Sequence, residues 1–221
     1  MRAVKAGTVV AGGEFHLLNE HLMPESVDRA PLAEDRAAGE MALLVIDMLS
    51  TWDFPDGDAM LKSAERITPR IAELRRRCRA VGVPVIYAND NRGRWRSDFR
   101  EVVVMAIESG DGAARIAELL KPERDDYFVL KPKHSGFHAT PLDLLLRHLR
   151  ARRLLITGVS GDQCVLYTVA DARMHDYEVV VPRDCIASLS AERDRRLLDY
   201  LSEVTQVETP VGSEVELPAR R

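Results

Sequence analysis

No stretch of the 221-residue sequence approaches the roughly 18 consecutive apolar residues of a membrane span. A dominant charge of one sign is also missing. The chain carries 31 basic and 35 acidic side chains, a net charge of −4, and no acidic or basic block. That balance argues against nucleic acid as a partner and against an interaction tail. The opening MRAVKAGTVVAGGEF is basic, but its apolar core is too short for a signal peptide. Cysteine is scarce. Cys78, Cys164 and Cys185 show no metal-type spacing and fit a reducing compartment, so the expected location is the cytoplasm. Two nucleotide signatures are absent as well. No G-x-G-x-x-G follows the first strand, and no G-x-x-x-x-G-K-[ST] occurs, which disfavours a dinucleotide-dependent enzyme. No cofactor is expected, and there is no internal repeat.

What is present is enough chain for one large domain with its own core. Residues 1–40 read as an irregular N-terminal extension, with a candidate hairpin over Thr8–Phe15. Residues 41–210 read as the folded domain, and 211–221 as a loose C-terminal tail. Met41–Ile46 is a continuous apolar run, the mark of a central strand covered on both faces. Thr68 and Pro69 read as the start of a helix that ends at Gly82, with Arg75, Arg76, Arg77 and Arg79 on its solvated face. Further strands are expected at Val83–Ala88, Tyr127–Leu130, Leu154–Thr157, Glu178–Val181 and Val204–Val207, with helices between them. The alternation predicts a six-stranded parallel sheet of order 3-2-1-4-5-6 with helices on both faces.

In such a sheet the site lies beyond the carboxyl ends of the strands, where the strand order reverses. Asp47 ends the first strand and Lys131 follows the third. Cys164 follows the fourth, after Gly158 and Gly161, in the first turn of a helix whose Val165, Val169 and Ala172 share one face. Unpaired N–H groups and the helix dipole favour negative charge there, so the thiol should ionise readily. The competing reading is a small buried core residue. An acid, an amine and a thiol are thus expected to converge on one crevice.

These residues carry a resemblance to the isochorismatase-like cysteine hydrolases, which include nicotinamidases and N-carbamoylsarcosine amidohydrolases. ALLVIDM resembles the family's first strand, with its catalytic Asp at Asp47. VLKPKHSGFHATPLDLLL resembles K-x-R-x-S-x-F-x-x-T-x-L, with the catalytic Lys at Lys131. GVSGDQCVLYTVADA resembles the nucleophile motif G-V-x-x-x-x-C-V-x-x-T-A, with Cys164 as nucleophile. The resemblance covers roughly Ala42–Ala187. It implies a cis peptide at Val159–Ser160, and an oxyanion hole made by the backbone N–H groups of Ser160 and Cys164. Nicotinamidases carry Asp-x-His and a further His for a metal after strand two. The matching Asn89-Asp90-Asn91-Arg92 has no His, so neither a metal nor nicotinamide is expected. Relatives that cleave the vinyl ether of isochorismate commonly lack the cysteine, so Cys164 favours C–N bond hydrolysis.

The resemblance implies that Asp47 takes the thiol proton, that Lys131 stabilises the thiolate, and that a thioester forms and is hydrolysed. Trp52 stands where the family has a Phe and reads equally as a pocket wall or a core aromatic. Asn91 and Trp95 belong to a loop with Arg92, Arg94 and Arg96, which reads as solvated or as contacting substrate. His134 and His138 have the i,i+4 spacing of a metal pair, but Gly136 between them argues against a helix. Cys78 and Cys185 read as packing residues, and a homo-oligomer is expected. The alternatives are an ether hydrolase of the isochorismatase type and an idle relative serving as a binding or assembly module.

Overall fold

Met41–Ile46 is buried at every position and forms the central strand, β1, of the computed structural model, which describes residues 40–91, 93 and 98–219. β2 (Val85–Asp90) and β4 (Arg153–Val159) flank it, both parallel. β3 (Tyr127–Lys131) adds outside β2, and β5 (Glu178–Val180) adds outside β4. The order β3-β2-β1-β4-β5 is the one expected from the sequence. The sixth strand is not. It is Ile186–Ala187, β6, which pairs with Gly158 and Val159 of β4. β5 occupies the Arg153–Leu155 end of the same edge, so the two short strands share one side of β4.

Val204–Val207, expected as a strand, instead straddles a helix end. Val204 closes a widened turn, Tyr200–Val204, and is exposed, while Val207 is buried. Sheet pairing there is limited to a bridge between Val180 and Glu208.

Alternation along β1 sends side chains into two helix layers. Leu43 and Val45 meet α1 (Gly57–Ala80), α2 (Phe99–Glu108) and α3 (Asp111–Leu119). Leu44 and Ile46 meet α4 (Leu142–His148), α5 (Leu166–Met174) and α6 (Ala191–Asp199). Helices therefore cover both faces, and every carboxyl strand end opens on the same side. Among the described residues no helix is long and apolar enough to cross a membrane.

α1 departs from the sequence reading. It begins at Gly57, and Pro69 lies inside it. Met60, Ala64, Ile67, Ile71, Leu74 and Cys78 hold one buried stripe through the proline. Burial of that stripe outweighs the single backbone hydrogen bond a proline removes. Thr68 Oγ1 donates to Ala64 O at 2.7 Å beside it.

The arginines of α1 are not one solvated face. Arg75 is buried and donates to the Tyr87 hydroxyl (2.6 Å), Lys121 O (3.0 Å) and Leu119 O (2.8 Å), capping the carbonyls at the end of α3. Arg79 pairs with Asp126 and Glu123, and only Arg76 has the exposure expected of it. Arg77 donates to Gly212 O and Val215 O at 2.6 and 2.8 Å. The segment after Pro210 is therefore tied to α1, with Val215 buried, where a loose tail was expected.

β4 and β1 approach each other closely at one backbone position. Gly158 has φ +112°, and a Cβ there would overlap the Ile46 carbonyl oxygen and lie 2.8 Å from Ile46 N. Ile46 immediately precedes Asp47, so this contact sets where β1 ends. The expected extension over 1–40, with its hairpin, lies outside the described residues apart from Glu40.

Candidate active site

β1 ends in Asp47, whose own N–H donates to Ala88 O of β2 at 3.0 Å. Its side chain points back over the strand ends. Oδ1 accepts the Asp90 N–H at 2.7 Å, and Oδ2 lies 2.7 Å from Lys131 Nζ. Lys131 ends β3, which is separated from β1 by β2. Two strand spacings, about 10 Å, lie between their backbones. Only a long side chain spans that gap, and the Lys131 side chain is wholly buried in doing so. Its Nζ also lies 3.3 Å from Lys133 O, 3.8 Å from Asp90 Oδ2 and 3.5 Å from Cys164 Sγ.

Burial works against a charge on Lys131, but Asp47, Cys164 and Asp90 outweigh it and hold its pKa above the ordinary lysine value. The ammonium is therefore retained at neutral pH.

Cys164 enters from the other side of β1. β4 ends at Val159, and the Val159–Ser160 peptide is cis. A widened turn, Gly161–Val165, then leads into α5. Asp162 N–H donates to Ser188 Oγ at 3.1 Å and Gln163 N–H to Ser160 O at 3.1 Å. The Cys164 N–H belongs to the same first turn, whose donors lack the usual helical acceptors. Val165, Val169 and Ala172 are buried, as their spacing predicts.

The sulfur is not the readily ionised thiol that its place in the helix suggests. Burial pushes the Cys164 thiol up to about 12. The Asp47 charge and its hydrogen bond with the thiol push the same way, and Lys131 pulls against them. Desolvation outweighs the helix terminus here. The resting group is a thiol with a carboxylate beside it. Cys78 is also pushed up to about 12 by burial, and Cys185 higher still. Both are fully buried among core side chains, whereas Cys164 faces a cavity.

That cavity has a volume of about 500 Å³ and is lined by Asp47, Cys164 and Ser160 together with Trp52, Phe54, Met60 and Leu189. Trp52 is among the lining residues and is also buried in the core cluster under α1, so its two readings coincide in place. Asn91 does not line the cavity. Its side-chain oxygen accepts the Gly93 N–H at 2.9 Å and its N–H donates to Lys131 O at 3.0 Å, so it closes the turn after β2. Asn89, two residues earlier, lines the cavity instead, with Nδ2 donating to Leu49 O at 2.7 Å. Strand alternation carries that signal, since Asn89 and Asn91 share a side and Asn89 sits within β2. Trp95 and the loop arginines Arg92, Arg94 and Arg96 lie outside the described residues.

The sequence presents His134 only as half of a metal pair with His138. The fold gives it a different neighbour, with Nδ1 3.6 Å from Cys164 Sγ and its ring stacked on Tyr167 at 5.5 Å. Tyr167 is one helical turn beyond Cys164, which is what brings the two rings together. Among the described residues no group of three His, Cys, Asp or Glu could hold a metal ion.

Residues 41–211 match the family model described as the isochorismatase domain. An uncharacterised isochorismatase family protein of Bacillus subtilis, YaaI, is 35% identical over 176 residues, covering 80% of this chain and 96% of that protein. The N-carbamoylsarcosine amidase of an Arthrobacter species is 27% identical over 157 residues, 66% of this chain and 58% of the amidase. Among solved structures, a cysteine hydrolase from Pseudomonas syringae superposes with a TM-score of 0.64 at 26% identity, over 79% of this chain and 90% of that one.

Proposed function

The chain belongs to the isochorismatase family, and from that premise we propose that it is a cysteine hydrolase cleaving an amide-like C–N bond of a small molecule through a thioester. One observation carries the reading. Lys131 Nζ lies 2.7 Å from Asp47 Oδ2 and 3.5 Å from Cys164 Sγ, and Asp47 and Cys164 face a cavity of small-molecule size.

The proposed sequence begins with a neutral thiol. Asp47 removes its proton as the sulfur attacks the carbonyl carbon, and the Lys131 ammonium stabilises the sulfur's growing charge. The backbone N–H groups of Ser160 and Cys164 hold the oxyanion. Asp47 then gives the proton to the departing nitrogen, the C–N bond breaks, and an acyl group remains on sulfur. Water cleaves that thioester. Trp52 is proposed to pack against the substrate. Trp95 is proposed to contact the substrate. No metal takes part in the proposed steps.

A panel of small amides, ureas and lactams tests the reading by ammonia release. Release that depends on Cys164 and survives a chelator is the expected result. Release unchanged in Cys164→Ala, or restored after chelation only by added metal, would overturn it.

The proposed setting is a cytoplasmic homo-oligomer, supported by three unpaired thiols and by exposed Leu144, Tyr167 and Met174 on α4 and α5. Light scattering at micromolar concentration is expected to give a multiple of the chain mass, and a monomer would contradict it.

A further inference from the structure

We propose that His134 is the base that activates the hydrolytic water in the second half-reaction. The inference rests on the thioester chemistry proposed above and assigns a residue that this chemistry leaves out.

The sulfur has two unlike sides. On one side lie Asp47, itself on the cavity wall, and the fully buried Lys131 beneath it. Toward solvent lies His134, an exposed residue with Nδ1 3.6 Å from Sγ. Water reaches a thioester on Cys164 from the solvent side. Asp47 is badly placed to greet it, because Oδ2 is committed to the Lys131 ammonium and Oδ1 to the Asp90 N–H. Water's proton is much harder to remove than a thiol's, and any carboxylate is a weak base toward it. An imidazole is better matched to proton transfer near neutral pH.

The position of His134 is built. It sits on the loop between β3 and α4, which is fastened to α5 by Thr168. The Thr168 hydroxyl accepts the Gly136 N–H at 3.0 Å and donates to Cys164 O at 2.7 Å. Buried Ser135 accepts the Phe137 N–H at 3.1 Å. The stack on Tyr167 then fixes the ring plane. The same residue, Thr168, holds both the nucleophile's helix and the loop that carries the imidazole.

In the Nε2–H tautomer Nδ1 carries its lone pair toward Cys164 Sγ and can accept a proton there. Water oxygen bonds to the acyl carbon while Nδ1 takes one of its protons. The tetrahedral intermediate collapses, the C–S bond breaks, and the imidazolium returns that proton to the departing sulfur. The products are the carboxylic acid and the Cys164 thiol, with Asp47 unchanged.

The test uses p-nitrophenyl acetate, which acylates an active thiol whatever the natural substrate is. His134→Phe keeps an aromatic ring to stack on Tyr167 but removes the base, and His134→Ala opens the position. Both variants are expected to show a burst of one p-nitrophenolate per site at the parent rate. Their steady state should then be slower by about 10²-fold, the usual scale of a lost general base. Mass spectrometry should find the acetyl group on Cys164. Added imidazole should restore turnover to His134→Ala and not to His134→Phe. The inference is overturned if both variants keep the parent's steady rate. It is equally overturned if burst and steady rates fall together without acetyl accumulating, or if imidazole fails to rescue the alanine variant. If the parent releases no p-nitrophenolate that depends on Cys164, the thioester reading falls and takes this inference with it.

Discussion

Cys164→Ala is expected to leave no measurable turnover, and Asp47→Asn to slow it by about 10²-fold or more, yet the second variant should be alkylated faster than the parent. The opposition follows from the environment of the sulfur. Burial pushes the thiol up to about 12, and the Asp47 charge and its hydrogen bond with the thiol add to the shift. Removing the Asp47 charge therefore lowers the thiol pKa and raises the thiolate fraction at any pH below it. It also removes the proposed base of turnover. Lys131→Met acts in the other direction on the thiol, because the ammonium favours the thiolate.

In the parent, iodoacetamide labelling of Cys164 should rise by about tenfold per pH unit up to about pH 11, without a plateau. The Asp47→Asn profile should lie at lower pH and the Lys131→Met profile at higher pH. Cys78 and Cys185, fully buried, should label after Cys164 in all three. A parent plateau below about pH 9 would mean that the thiolate is the resting state, and Asp47 would lose its role as base.

The largest effect on folding is expected at Gly158. An alanine there needs φ +112°, and its Cβ would overlap the Ile46 carbonyl oxygen. Both partners are backbone in the middle of the sheet, so no side chain can swing away. Gly158→Ala should cost more than about 4 kcal/mol, the range reserved for named defects in a core. Gly110→Ala provides the contrast. Its φ is +73° with ψ 177° and an added methyl group would meet nothing within 4 Å, so it should cost only backbone strain of about 1–3 kcal/mol. Urea midpoints of the two variants check the difference. Equal midpoints would show that β1 and β4 can separate at that point without loss.

The sheet is legible in the sequence because its central strands are buried on both faces and spelled as unbroken apolar runs. Asp47 and Lys131 are legible for a related reason, since each sits where such a run stops, and Cys164 is legible because a glycine turn and helical spacing follow the fourth run. Other parts are hidden by geometry. Ile186–Ala187 is too short for any periodicity, and the better-spelled Val204–Val207 takes its place in a reading by pattern. Pro69 looks like a helix start because its local effect is strong, while the buried stripe that overrides it runs on both sides. Arg75 reads as solvated because a helix sequence does not reveal that another helix ends beneath it. The thiol reads as easily ionised because the helix terminus is visible in sequence and desolvation is not. The contact of His134 with Cys164 is hidden because its partner lies far along the chain, whereas the spacing that stands out is to its neighbour His138.

Lys131 reaching across β2 has a consequence for quality control during synthesis. The acid comes from β1, the amine from β3 and the thiol from the turn after β4, so no fragment of the sheet holds the whole apparatus. A nascent chain that has made Asp47 and Lys131 still lacks a nucleophile. A chain that has made Cys164 but not docked β3 has an ordinary thiol without its ammonium. The proposed acyl chemistry would thereby be silent until the last of these strands is in register, and would fall silent again as soon as the edge strand β3 peels away. Heat inactivation should therefore report the loss of one edge strand before the core itself melts.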